Sequence, residues 1–241
     1  HRDHTERPEY VTRWRYSGPG FDNSNTQYGV MGLHSAELCG QEIGRTVWSA
    51  VAAHWLAVQC PTEGGAVPLE LRSLRDGEDR AARGTRGTRA EVRVAPAGWD
   101  YGAGTDAPYG GMTAAGIASL TIAASRLEAT AGGLEPSLRR RLERAIRGGF
   151  AWLSKWRSLR QVPGPSLVYR NNWWYYYLYG LERACELSNV GTIDGWDWYH
   201  DEALMLLELQ EDDGSWGRVE DTCWAILFLK KDQLPVYTQP R

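Results

Sequence analysis

The sequence predicts an all-α fold built from repeated helical hairpins, and three observations predict it. Four segments read as helices that start from a polar cap. Three amphipathic segments alternate with them. The alternating segments share an ending, in which an aromatic or leucine residue stands four positions before a glutamine or its counterpart.

The capped segments are DNSNTQYGVMGLHSAELC from Asp22, MTAAGIASLTIAASRLE from Met112, NNWWYYYLYGLERACELS from Asn171 and DTCWAILFLKK from Asp221. The segments between them start at Arg45, Ser137 and Trp196, the last with Asp197 as its cap. In that segment Ala203, Leu206, Leu207 and Gln210 fall on one helix face. Trp55 precedes Gln59, Leu206 precedes Gln210, and Trp152 precedes Trp156 as a degenerate copy. The capped starts are separated by 90, 59 and 50 residues. The long step contains an insertion over 61–97, and without it the spacing is that of a repeated hairpin. The insertion is expected to be a small β-hairpin, with AVPLEL and AEVRVAP as strands and the Arg/Gly/Asp-rich middle as a mobile solvated tip. Residues 1–21 read as the end of a preceding repeat or an extended arm, and 22–241 as the helical domain.

The composition is that of a globular protein, with 42% hydrophobic and 24% charged residues. A net charge of −3 gives no reason to expect nucleic acid as a partner. No apolar run reaches the ~18 residues of a transmembrane segment. The chain has 12 Trp and 12 Tyr against 3 Phe, and aromatics with a polar edge suit half-wet cavity walls and interfaces. Cys39, Cys60, Cys185 and Cys223 form no C-x-x-C pair and read as free, buried small hydrophobes, with two disulfides as the alternative. The opening HRDHTERPEY reads as a processed or truncated end and shows no targeting segment from which a compartment could be assigned.

LLELQEDDGSW, with Leu206, Gln210 and Trp216, resembles the QW repeat of squalene and oxidosqualene cyclases, and RGGFAWL from Arg147 resembles its opening. DNSNTQYGVMGL, GGMTAAGIASL, WWYYYLYGLERA and DTCWAILFL are similar to runs in bacterial prenyltransferase/squalene oxidase repeat proteins, a branch with no assigned reaction. The resemblance implies an α/α toroid, here a partial ring of about three hairpins plus one helix. It also implies that helices ending in Gln form the outer wall and that the capped helices form the inner wall around a cavity. The implied cavity rim is Asp22, Asn23, Asn25, Gln27, Thr113, Asn171, Asn172, Trp174, Tyr175, Asp221 and Cys223. A missing N-terminal half or a second chain would complete the ring.

The family chemistries are each incomplete. Glu211, Asp212 and Asp213 resemble a cyclase acid motif but lie in the QW turn, away from the implied cavity, where a general acid has no substrate. Asp221 and Cys223 resemble part of a prenyltransferase zinc site, yet no histidine follows them, so no cofactor is assigned and zinc remains a weak candidate. Asp221 reads instead as a cap and Cys223 as a packed residue. Cys39-Gly40-Gln41-Glu42 departs from the thioester motif of complement, with Gln one place early. No phosphate loop or G-x-S-x-G elbow occurs, and His34 and His54 read as packed histidines. The expectation is an aromatic-lined cavity that binds an apolar, amphipathic or isoprenoid-like ligand, or a partner protein. The alternative is a terpene-cyclase-like or zinc prenyltransferase-like enzyme whose remaining catalytic residues lie in the missing half. A glycan-active enzyme on the same scaffold is a weaker third reading.

Overall fold

The computed structural model describes residues 12–17, 20–61, 64–74, 92–102, 104, 107–165 and 173–231. Among these the chain is mainly helical: α1 (Asn23–Leu38), α2 (Arg45–Ala57), α3 (Gly110–Ala129), α4 (Pro136–Trp156), α5 (Trp174–Leu187), α6 (Trp198–Leu209) and α7 (Val219–Lys230). Helices α1, α3, α5 and α7 pack successively against one another. Helix α2 lies against α3, α4 against α3, and α6 against α7. Helix α3 is rich in Gly, Ala, Ser and Thr and is buried almost all round, so its neighbours approach closely. A Cβ on Gly180 of α5 would meet that of Ala114 on α3 at 3.4 Å.

Four short strands form two antiparallel pairs. β1 (Val67–Leu69) pairs with β3 (Val92–Val94) in the register Val67↔Val94, which is the hairpin expected of the insertion. Its charged tip lies outside the described residues. β2 (Leu71–Ser73) pairs instead with β4 (Val190–Ile193), between α5 and α6. The mainly helical expectation holds, and β4 adds a strand that it did not include. The reason is backbone pairing across more than a hundred residues: the Asp194 amide donates to the Glu70 carbonyl at 2.8 Å, and the Glu70 amide to Asp194 Oδ1 at 2.6 Å.

The helix starts also differ from expectation. Asp22 caps α1, accepting from the Asn25 amide at 2.7 Å, and Asp197 caps α6 by accepting from the His200 amide. Helix α3 begins two residues before Met112, with Tyr109 as its N-cap and no side-chain cap. Helix α5 begins at Trp174, three residues after Asn171, again uncapped by a side chain. Helix α7 begins at Val219, so Asp221 lies in its first turn and does not cap it. A carboxylate there is still favoured by the helix dipole.

The repeat is written into one local device, an indole clamp. The backbone N–H of Trp14, Trp99 and Trp216 donates to Thr26, Thr113 and Thr222 at 3.1, 3.2 and 3.0 Å. Each threonine is the fourth residue of its helix. The indole Nε1 of Trp99 donates to the Trp55 carbonyl, and that of Trp216 to the Leu206 carbonyl, both at 2.8 Å. Gln59 and Gln210 donate to the carbonyls of Ala97 and Gly214, each two residues before its tryptophan. Residues Gly29 and Gly116, seventh in α1 and α3, lie directly under the rings of Trp14 and Trp99. Any Cβ there would overlap the indole.

Gly116→Ala should therefore cost about 1–3 kcal/mol through overpacking. Gly32→Ala, on α1 where a Cβ meets nothing, should gain up to about 1 kcal/mol from reduced backbone entropy in the unfolded chain. Urea unfolding followed by circular dichroism checks both signs.

Candidate functional site

With clamps at the starts of α1, α3 and α7, and with Gly180 seventh in α5 as Gly29 and Gly116 are in α1 and α3, equivalent positions can be compared along the four helices. The sixth residues are Tyr28, Ala115, Tyr179 and Trp224. The three aromatic ones converge. Tyr28 and Trp224 stack with centroids 6.2 Å apart, and Tyr179 and Trp224 meet at 5.2 Å. Tyr176, third in α5, closes the group at 5.6 Å from Trp224 and 6.2 Å from Tyr28. Because a ring on α1 reaches a ring on α7, the four-helix row bends inward around α3 and α5. On α3 a Cβ at Gly111 would lie 3.3 Å from the Tyr176 ring. Trp173 stands against Tyr176 at the edge of the group, 48% exposed, with the Arg218 guanidinium over its ring.

These rings are half-buried and carry polar edges. Gln27 donates to the Tyr176 hydroxyl. Burial raises the Tyr28 hydroxyl pKa, and burial raises that of Tyr176 well above the ordinary tyrosine value. Both are neutral donors at any ordinary pH.

The expected rim residues fall into separate groups. Asp22, Asn25 and Ser24 form a cap network at the start of α1. Asn23 is buried, donating to the carbonyls of Asp100 and Gly102 at 3.0 and 2.9 Å, with His54 Nε2 3.1 Å from its oxygen. Burial, and secondarily the Arg13 charge, lower the His54 pKa to about 4, so it is a neutral packed histidine. His34 is likewise lowered to about 4 by burial and by Arg126, which donates to its Nδ1 at 3.0 Å. Thr113 belongs to the indole clamp and is buried. Trp174 is buried, and Tyr175 stacks edge-on against it. Gln27 alone among these meets the aromatic group through a hydrogen bond. Asn171 and Asn172 lie outside the described residues.

Asp221 is held by Arg218 through two hydrogen bonds, 2.8 and 3.2 Å long. Cys223 is exposed, which corrects the expectation that it packs, and Cys39 is exposed too. Cys60 and Cys185 are buried as expected, and no disulfide joins the four among the described residues. No group of three potential metal ligands occurs among the described residues. The turn acids Asp212 and Asp213 are exposed, and Asp213 accepts from the Ser215 amide.

Sequence reasoning missed two things. The sixth-position aromatics were legible as Tyr28, Tyr179 and Trp224, but only once the helix starts are set in register. Glu202 gave no signal. It is fully buried between α5 and α6, and neither carboxylate oxygen has a hydrogen-bond partner among the described residues. The Tyr177 hydroxyl, also buried and unpartnered there, lies within electrostatic reach. Burial pushes the Glu202 carboxyl up to about 9, against the attraction of Arg157 and with the repulsion of Asp201. It therefore holds its proton at neutral pH.

The folded value lies above the ordinary 4.5, so the ionisation part of the cost of burying Glu202 is absent below pH 4.5 and grows as pH rises toward 9. Glu202→Gln should stabilise the fold by about 2–3 kcal/mol at pH 7 and by almost nothing at pH 4. Thermal melts of both proteins from pH 4 to 9 measure the difference.

No family model matches the chain, and no curated protein or solved structure matches it either.

Proposed function

We propose that the chain is part of an α/α toroid of the squalene-cyclase/prenyltransferase repeat kind and binds an apolar or amphipathic ligand against its converging aromatic side chains. The observation that carries the reading is the meeting of Tyr28, Tyr179 and Trp224 from the same position of three different helices, joined by Tyr176. Flat rings with hydroxyl or indole edges suit a ligand with an extended apolar body and a polar end. Trp173 extends the apolar surface outward, and Gln27 supplies polar contacts beside Tyr176.

A zinc-activated thiol reaction is the weaker reading. Asp221, its candidate carboxylate ligand, is engaged by Arg218, and releasing it would break a paired contact.

A fifteen-carbon isoprenoid alcohol, farnesol, should saturably quench tryptophan fluorescence. Trp224→Ala should weaken that binding by roughly tenfold, the scale of one lost aromatic contact of about 1.4 kcal/mol. Leu38→Ala, at the far end of α1, should leave it unchanged. Linear, unsaturable quenching, or equal effects of the two variants, would defeat the proposal.

A further inference from the structure

The clamp register also compares the faces on which each helix of the row receives its successor. The first, fifth and eighth residues form one stripe: Asn23, Gln27 and Val30 in α1; Gly110, Ala114 and Ile117 in α3; Trp174, Leu178 and Leu181 in α5. All nine are buried. Three of them meet the following hairpin directly, while Gln27 reaches Tyr176 of α5. Asn23 meets His54 of α2, Ala114 meets Gly180 of α5, and Ile117 lies against Gly149 of α4. In α7 the same stripe is Val219, Cys223 and Ile226, and it is open: Val219 is 78% and Ile226 51% exposed, and Cys223 is exposed. Helix α6 behaves alike. Its Leu204 and Leu207 are exposed, whereas their counterparts Phe150 and Leu153 in α4 are buried. Five of the nine large hydrophobic residues exposed among the described residues belong to the α6–α7 hairpin.

We infer that the α7 edge is a helix-packing interface, and that its occupant is the same edge of a second copy of this chain. The patch is apolar and self-complementary, which an isologous two-fold contact requires. The α1 edge is a poorer complement, since its exposed residues are Gly32, Ser35 and Leu38, with the C-cap Cys39, and Leu38 alone among them is a large apolar side chain. Charge favours an antiparallel pairing. The first turn of α7 carries Glu220 and Asp221, which share the single guanidinium of Arg218 and so leave that end net acidic, and its last turn carries Lys230. Two antiparallel copies bring each acidic start toward the other's basic end and oppose their dipoles. Reversal about the middle of the stripe sets Cys223 against Cys223 of the partner subunit, and Val219 against Ile226 of the partner subunit.

The test uses the whole chain with Cys39 changed to Ser. Sedimentation velocity over a concentration series up to about 200 μM should show a monomer–dimer equilibrium. Bismaleimidoethane should trap the dimer through Cys223, and a further Cys223→Ser change should abolish the trapped species without abolishing the equilibrium. Ile226→Asp should weaken dimerisation at least tenfold while leaving the circular dichroism melt unchanged, because the side chain is half exposed in the monomer. A monomer at every concentration overturns the inference. So does a dimer that Cys223 cannot trap, or one indifferent to Ile226→Asp; either would place the contact on another surface.

Discussion

The indole clamp is the constraint from which the rest of this structure follows. One tryptophan satisfies two donors at once, its backbone N–H on the threonine of the incoming helix and its indole N–H on the carbonyl of the outgoing one. The rings of Trp14 and Trp99 also occupy the space that Gly29 and Gly116 leave. Burying an N–H without such a partner costs ~1–3 kcal/mol, so the geometry is held at both ends. Fixing the helix start fixes every later position by the 3.6-residue turn. In α1, α3 and α7 the residues at the first, fifth and eighth positions and at the sixth follow from that register, and α5 keeps the same spacing.

Buried polar groups then tie the row together, and they differ in how well they are matched. Arg126 of α3 joins His34 and Glu37 of α1, and Lys231 after α7 reaches Glu186 of α5 at 3.2 Å. Glu182 and Arg183 are buried as a pair. There the loss of water outweighs the guanidinium, pushing the Glu182 carboxyl up to about 7. Glu202 has no such partner among the described residues and remains a neutral acid inside the core. Matched groups align helices, whereas an unmatched one lowers stability as pH rises.

Much of the hairpin order was legible because apolar periodicity and punctuation are local signals. Asp22 and Asp197 announced their helices, Gln210 and Trp216 marked the turn between α6 and α7, and AVPLEL and AEVRVAP announced a strand pair. The failures were at uncapped starts. Helices α3, α5 and α7 begin at Gly110, Trp174 and Val219 without a side-chain cap; the first two starts are buried by tertiary packing, whereas Val219 is exposed. For the candidate site, the rim residues inferred from helix starts scattered into caps, clamps and core. The residues that meet were one and a half turns further along.

The sequence by itself determined the succession of helices, the insertion with its first strand pair, and the QEDDGSWG turn as a structural rather than reactive stretch. Each depends on neighbours within a few residues. The tertiary structure alone decided that β2 pairs with β4, that Glu202 is buried without a partner among the described residues, that Cys223 faces outward, and that Tyr28 reaches Trp224. These depend on how far the helix row bends and which faces it covers. Small residues such as Ala114 and Gly180 act there through the space they leave, letting α3 and α5 approach closely.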